Sequence, residues 1–258
     1  MFSKFFKMHV KTTMQYKLNN VLLAFSSVLV SISEILAVYI LFSNFANVKY
    51  WGFYETMLIF GIMCLVFAFV ECFFRGFDEF DKIIKTGDLD RMLVRPVNIY
   101  KQIFYSKFAF YKVSRIILGI TLCVIALLNM TITFTFAKII VIIGMFVCGT
   151  FVILGLMLIS AGITVFTVDR LEFMNVITDG TKEVGFYPLN IYNKWFQRFF
   201  TYVVPLACFN YLPMNYLLGM GSLPPIVYAL SPLIGMLFII PCFLFFAWSL
   251  KHYKSAGT

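Results

Sequence analysis

Charge is scarce in this chain. Of its 258 residues, 13% are Asp, Glu, Lys or Arg, 12 of them acidic and 21 basic. A soluble domain carries about 25% charged and about 45–50% apolar residues. With 61% hydrophobic residues, the chain cannot hide its apolar surface from water, and a soluble fold is excluded. Histidine is almost missing: His9 and His252 lie in the two tails. That leaves no metal-ligand spacing and no serine–histidine arrangement for catalysis, so no metal or catalytic site is expected. No GxxxxGK[ST] occurs. Gly144 and Gly149-Thr150 have the glycine spacing without the lysine and lie inside an apolar run, so no loop here cradles a nucleotide phosphate. The six cysteines, at 64, 72, 123, 148, 208 and 242, show no CxxC pair and sit in apolar stretches, where they read as small buried side chains. No clear internal repeat is visible, which leaves an inverted-repeat transporter unsupported.

What the chain has in abundance is long apolar runs. About 18 apolar residues suffice for a membrane-spanning helix. Six stretches qualify, near 21–43, 52–74, 108–129, 139–167, 196–219 and 226–249. The first is too long for a signal-peptide core and no small-residue cleavage site follows it, so it is expected to stay. Basic residues collect on the cytoplasmic side of membrane proteins. With both termini inside, 19 of the 21 basic residues fall on that side, Lys49 and Lys138 being the exceptions. The expectation is a single all-α, multi-pass domain over 1–258 in a cell membrane. It has six spans and cytoplasmic termini.

Over residues 1–20, Phe2, Phe6, Val10 and Thr13 share one helical face and Lys4, Lys7 and Lys11 another. This predicts an amphipathic helix lying in the inner interface, its lysines toward anionic lipid headgroups; a frayed basic tail is the plainer reading. Charges inside the spans are costly and need a partner or water. Glu34 lies deep in the first span with no obvious partner. Glu71 and Arg115 lie at similar inner depths on adjacent spans and are expected to pair, while Lys107 and Lys112 are expected to snorkel to the interface. The fourth span carries Gly144, Gly149, Gly155 and Gly162, which permit close helix packing. Pro205, Asn210, Pro213 and Asn215 interrupt the fifth stretch, and a broken or re-entrant piece is expected at its outer end, against protein or a water-lined cavity.

Residues 75–98 form the one long charged run, with ten charges in 24 positions. On a helical wheel Phe77, Phe80, Ile83 and Ile84 share a 120° arc, and Asp78, Glu79, Asp81, Lys82 and Lys85 lie opposite. This predicts a short amphipathic helix over 77–86 with Gly87 as its C-terminal cap. So short a helix must dock on something to form.

The order Arg75-Gly76-Phe77-Asp78, then Gly87-Asp88-Leu89-Asp90-Arg91-Met92-Leu93 and Arg95-Pro96, resembles the permeases of type-2 ABC exporters. It is closest to a six-span branch with a G-[ED]-L-D-x-x-L-x-[RK]-P stretch after span two. A second block agrees: Tyr187-Pro188-Leu189, Ile191-Tyr192, Trp195, Val204-Pro205-Leu206-Ala207, Asn210-Tyr211-Leu212-Pro213 and Leu217-Leu218-Gly219. The resemblance implies a transmembrane subunit, not an enzyme, working with a second permease, identical or paralogous, and two cytosolic ABC ATPase subunits in a bacterial cell membrane. ATP and magnesium would be held by those subunits, and nucleic acid has no part. The 77–86 helix would be the coupling helix, with Phe77, Phe80 and Ile84 filling a groove of the ATPase or packing on the span ends. Asp78, Glu79 and Asp81 would meet a basic rim, and Asp88, Asp90 and Arg91 would form the turn behind. Glu34, Glu71 and Arg115 are the intramembrane charges of interest, and Pro205, Asn210 and Pro213 the candidate gate. The cargo would be an amphipathic or hydrophobic drug, lipid or peptide. Two other readings stay open. Glu34 would suit an ion-gradient-driven transporter or channel, and Asp88-Leu89-Asp90 could hold a metal–phosphate in a lipid-modifying enzyme.

Overall fold

The computed structural model describes residues 17–44, 51–130, 132–133, 135–220 and 224–254. The interfacial helix expected over 1–20 therefore falls outside the described residues, except for 17–20, which open the first span. Among the described residues the chain is helical, with no strand. Five helical segments are long and apolar enough to cross a membrane. They are α1 (Lys17–Asn44), α2 (Phe53–Phe73), the segment Phe110–Asn129, α8 (Phe136–Thr167) and the segment Pro225–Lys251. The third begins as a 3-10 turn, Phe110–Lys112, and continues as α7 (Val113–Asn129).

Helix α2 is the axis of the bundle, buried along most of its length. It runs antiparallel to α7 at close quarters. A Cβ on Gly61 would meet Cys123, and one on Gly119 would meet the backbone of Leu65. Small residues on both helices thus set the register of the pair. The glycines of α8 do similar work on its other side, with Gly155 against Phe238 and Gly162 against Phe245. The outer faces are apolar. Ile117, Ile120, Val124 and Leu128 of α7 are exposed at helical spacing, as are Leu237, Ile240, Leu244 and Trp248 in the last segment. Stripes of this kind face lipid rather than water.

The last segment is two helices, α13 (Pro225–Met236) and α14 (Ile239–Lys251). Pro241 lacks the donor that would bond the carbonyl four residues back, at Leu237, and the helix breaks there. The same rule breaks the stretch 196–219. The helix α10 (Lys194–Arg198) runs into a π turn, Phe199–Val203, and stops before Pro205. After it come α11 (Leu206–Phe209) and α12 (Tyr211–Leu218), separated by Asn210. Pro213 would have bonded the Phe209 carbonyl, which places the break at Asn210. The end of α12 is a Schellman turn. Gly219 is left-handed at φ 66°, its N–H donates to Tyr216, and Met220 N–H donates to Asn215. No piece of 196–219 is long enough to cross alone.

The fifth stretch also begins earlier than hydropathy indicates. Helix α9 (Glu172–Gly185) precedes it and climbs into the bundle, so that Gly185 lies against Met63, midway along α2. Asp179, Lys182 and Glu183 lower its hydropathy and hide it from an apolar-run search.

Candidate functional site

The charged run between α2 and α7 folds as four short helices on the basic end of the bundle: α3 (Arg75–Asp78), α4 (Phe80–Lys85), α5 (Asp88–Val94) and α6 (Ile99–Ser106). The single helix expected over 77–86 is bent at Glu79, where α3 ends and α4 begins. Its apolar arc is buried, with Phe77, Phe80, Ile83 and Ile84 all less than a tenth exposed. The rings of Phe77 and Phe80 meet Phe246 of α14 edge to face, 5.8 and 5.4 Å between centroids. Of the two places open to this arc, the structure puts it on the span ends. Gly87 is left-handed at φ 68°, as a cap after Thr86 requires.

The acidic residues of the run are engaged within the chain. Asp78 pairs with Arg75 at 2.8 Å and with Arg170, from the α8–α9 turn, at 2.7 Å. Glu79 receives Arg75 at 2.7 Å, Lys107 at 2.7 Å and Lys82 at 3.0 Å. Asp81 lies 4.0 Å from Lys85, which also pairs with Asp169. Asp88 accepts hydrogen bonds from Thr86 (2.8 Å) and Arg91 (3.1 Å) at the start of α5. Asp90, also in that first turn, is partly exposed. Lys107, expected to snorkel, is held by Glu79 instead. These ion pairs tie α3 and α4 to both flanking connections.

Partial burial alone would raise the Glu79 carboxyl. Hydrogen bonds from Lys107 and Lys82 and the charge of Arg75 outweigh it and hold the group well below its ordinary 4.5, at about 2. A carboxylate lowered on folding stabilises above its unfolded pKa and loses that contribution as pH falls through the folded value. Thermal melts of the detergent-solubilised protein should therefore lose on the order of 2–3 kcal/mol from this group between about pH 4.5 and 2. In Glu79→Gln that acid-dependent part should vanish; an unchanged pH profile would show that the network carries no stability.

What the run leaves at the surface is its far corner. Val94 is 87% exposed and Leu93 49%, with Arg91 and Arg95 exposed beside them. Pro96 pushes Arg95 into extended backbone (ψ 137°) and ends α5. The corner is fixed from behind: the Gln102 amide donates to the carbonyls of Met92 and Val97, both at 2.8 Å, and Asn98 caps α6 through Tyr100 N–H. Sequence reasoning missed Leu93 and Val94 as a surface. The signal was three apolar residues, Met92 to Val94, between two arginines beside a proline.

Deeper in the bundle, Glu34 has partners after all. Arg115 of α7 reaches one oxygen at 3.1 Å and Lys182 of α9 the other at 2.9 Å. The pair expected between Glu71 and Arg115 is not formed; Glu71 pairs with Lys112 at 2.5 Å. The register of α2 on α7, with Gly61 beside Cys123 and Leu65 beside Gly119, carries Glu71 opposite 112–113 and frees Arg115 to reach α1. Lys182 could not be found as a partner while α9 was unrecognised. Among the gate candidates, Pro205 and Pro213 set the breaks already described. Asn210 is buried at the second break and donates to the Gly185 carbonyl at the end of α9, 2.6 Å away. Among the described residues no group of His, Cys, Asp and Glu is arranged to hold a metal.

A family model described as "ABC-2 family transporter protein" matches residues 28–257. The chain belongs to the ABC-2 transporter family. It is thus a multi-pass membrane permease, a transport subunit rather than an enzyme, and membership implies partnership with ABC ATPase subunits. No curated protein and no solved structure matches it. In this ABC-2 permease, then, the corner at Leu93–Val94 and the charges around Glu34 are the features that need a function.

Proposed function

We propose that this chain is one of two permeases in an ATP-driven exporter of amphipathic or hydrophobic cargo, with two cytosolic ATPase subunits that bind ATP and magnesium. The observation that carries the reading is the Leu93–Val94 corner. A rigidly held apolar tip of this exposure, flanked by Arg91 and Arg95, suits an apolar groove with an acidic rim on a partner. The carboxylates of the 77–86 segment are engaged by cations of the same chain, Arg91 is shared with Asp88, and Arg95 makes no ion pair among the described residues, so the free charge offered to the ATPase is basic. Because α3 and α4 are bound to α2, α8 and α14 by packing and ion pairs, a push on that corner would reach the spans as rigid motion.

A second permease is supported by α9. Phe173 and Val176 are exposed on it, as is Asp179, and the Glu183 side chain is 63% exposed near the mid-level of α2. An acidic side chain turned to hydrocarbon at that depth would cost about 2.5–3.5 kcal/mol. That face is better met by a water-filled path between two permeases. The ion-gradient reading rested on an unpartnered Glu34, and both its oxygens are engaged.

The test is a double substitution, Leu93→Asp with Val94→Asp, in the chain co-expressed with its ATPase. Burying two such side chains is worth about 1.5–3 kcal/mol each, so ATPase co-purification and permease-stimulated hydrolysis should fall at least about tenfold. The melting temperature of the permease alone should stay unchanged, since neither residue packs in the bundle. Full association of the double variant would refute the docking corner.

A further inference from the structure

A groove opens between α8, α14 and α6 at the basic end of the bundle. Its cavity is about 260 Å³, lined by Leu154, Leu158, Ile239, Phe243 and Phe104, with Lys101 as its charged member. Lys101 is exposed and makes no ion pair among the described residues. Beside the groove, the last segment presents the exposed apolar stripe of Leu237, Ile240 and Leu244. One end therefore opens to hydrocarbon and the other meets a free cation at the membrane boundary.

We propose that this groove seats one acyl chain of an anionic glycerophospholipid from the cytoplasmic leaflet, with its phosphate at Lys101. Leu154, Leu158, Ile239 and Phe243 belong to two membrane-spanning segments and leave the groove open toward the bilayer, so the occupant comes from the bilayer rather than from water. Apart from Lys101 and Tyr100 the lining is apolar, which suits a resident acyl chain rather than a cargo that must leave. A phospholipid instead has a chain for the apolar lining and an anion for the lysine. A Lys near an anionic leaflet gains about 1 kcal/mol, which sets the expected preference at about fivefold over a zwitterionic lipid. Bound there, the lipid would wedge α6 against α8 and α14 and stiffen the platform that carries α5. The proposal rests on the membrane-spanning fold and not on the ATPase reading, so either can fail alone.

The experiment places the full chain in bilayers of equal parts palmitoyl-oleoyl phosphatidylglycerol and phosphatidylcholine, extracts it gently, and counts retained lipids by native mass spectrometry. The wild type should keep one phosphatidylglycerol at about fivefold preference. Lys101→Glu should abolish the preference while a lipid is still retained. Leu154→Trp, which fills the groove, should lose the retained lipid of either kind. No preference in the wild type, or the same preference in Lys101→Glu, would mean annular lipid only and overturn the site. Lys101 is exposed, so that arm holds even where Leu154→Trp fails to fold.

Discussion

Phe80→Asp should leave almost no folded protein. Phe80 is 1% exposed and its ring stands against Phe246, which is itself fully buried. Truncating a buried phenylalanine costs about 3–5 kcal/mol. A carboxylate left in its place has no cation to meet, since the lysines and arginines nearby already serve Asp78 and Glu79, and burying it adds further cost. The sum is comparable to the whole stability of a typical domain, about 5–15 kcal/mol. Membrane yield and the melting temperature in detergent should both collapse. The Leu93→Asp, Val94→Asp variant, thirteen residues further on, should melt like the wild type. This contrast separates the two parts of the connection: α3 and α4 hold the bundle end, and the α5 corner faces outward. A Phe80→Asp protein that melts normally would show that the arc does not pack on α14. Its side chains would then be free for a partner, the other of the two places that the resemblance implied.

Hydropathy located the helices that bury all sides or face lipid, and the wheel separated Phe77, Phe80 and Ile84 from the acids opposite, because periodicity along one helix is written in one segment. It could not say what the arc touches. Phe246 lies more than 160 positions away, and its place depends on how α14 crosses α8. The same limit undid the Glu71–Arg115 pairing. Similar depth on neighbouring helices is a necessary condition for an ion pair, but the register of α2 on α7 is set by Gly61 and Gly119, and it delivered Lys112 instead. Helix α9 escaped notice for the opposite reason. It enters the bundle with charges on it, one satisfied by Glu34 and others turned to an exposed face, and an apolar window discards such a helix. The prolines of the fifth stretch were legible because a missing donor acts locally, four residues back.

Removing Glu34 should cost more than removing either of its partners. The three side chains form a cluster of two cations and one anion, with Arg115 5% exposed and Glu34 and Lys182 each 16%. Glu34→Ala leaves the buried Arg115 without its carboxylate and Lys182 with only the exposed Glu183, 3.8 Å away, and breaking a buried pair by removing one member costs about 3–5 kcal/mol. Lys182→Met leaves a neutral Glu34–Arg115 pair and adds an apolar chain of similar length, so its cost should be well under half of that. The double variant should recover part of the loss, because Lys182 is a burden only when its anion is gone. A coupling of about 1–3 kcal/mol is expected for groups in contact. Denaturation in detergent for the two single variants and the double would measure it. Strict additivity, or equal losses for Glu34→Ala and Lys182→Met, would show that the cluster is not a unit. The coupling matters beyond stability because the three residues belong to three helices, and Glu34 is the anion shared between α7 and α9. Through it the helix that exposes Asp179 and Glu183 keeps its place against α1 and α2, and a permease that must move α9 to open a path has to break or carry that link. Lys182→Met should then loosen α9 without unfolding it, raising hydrogen exchange along 172–185 while α7 stays protected.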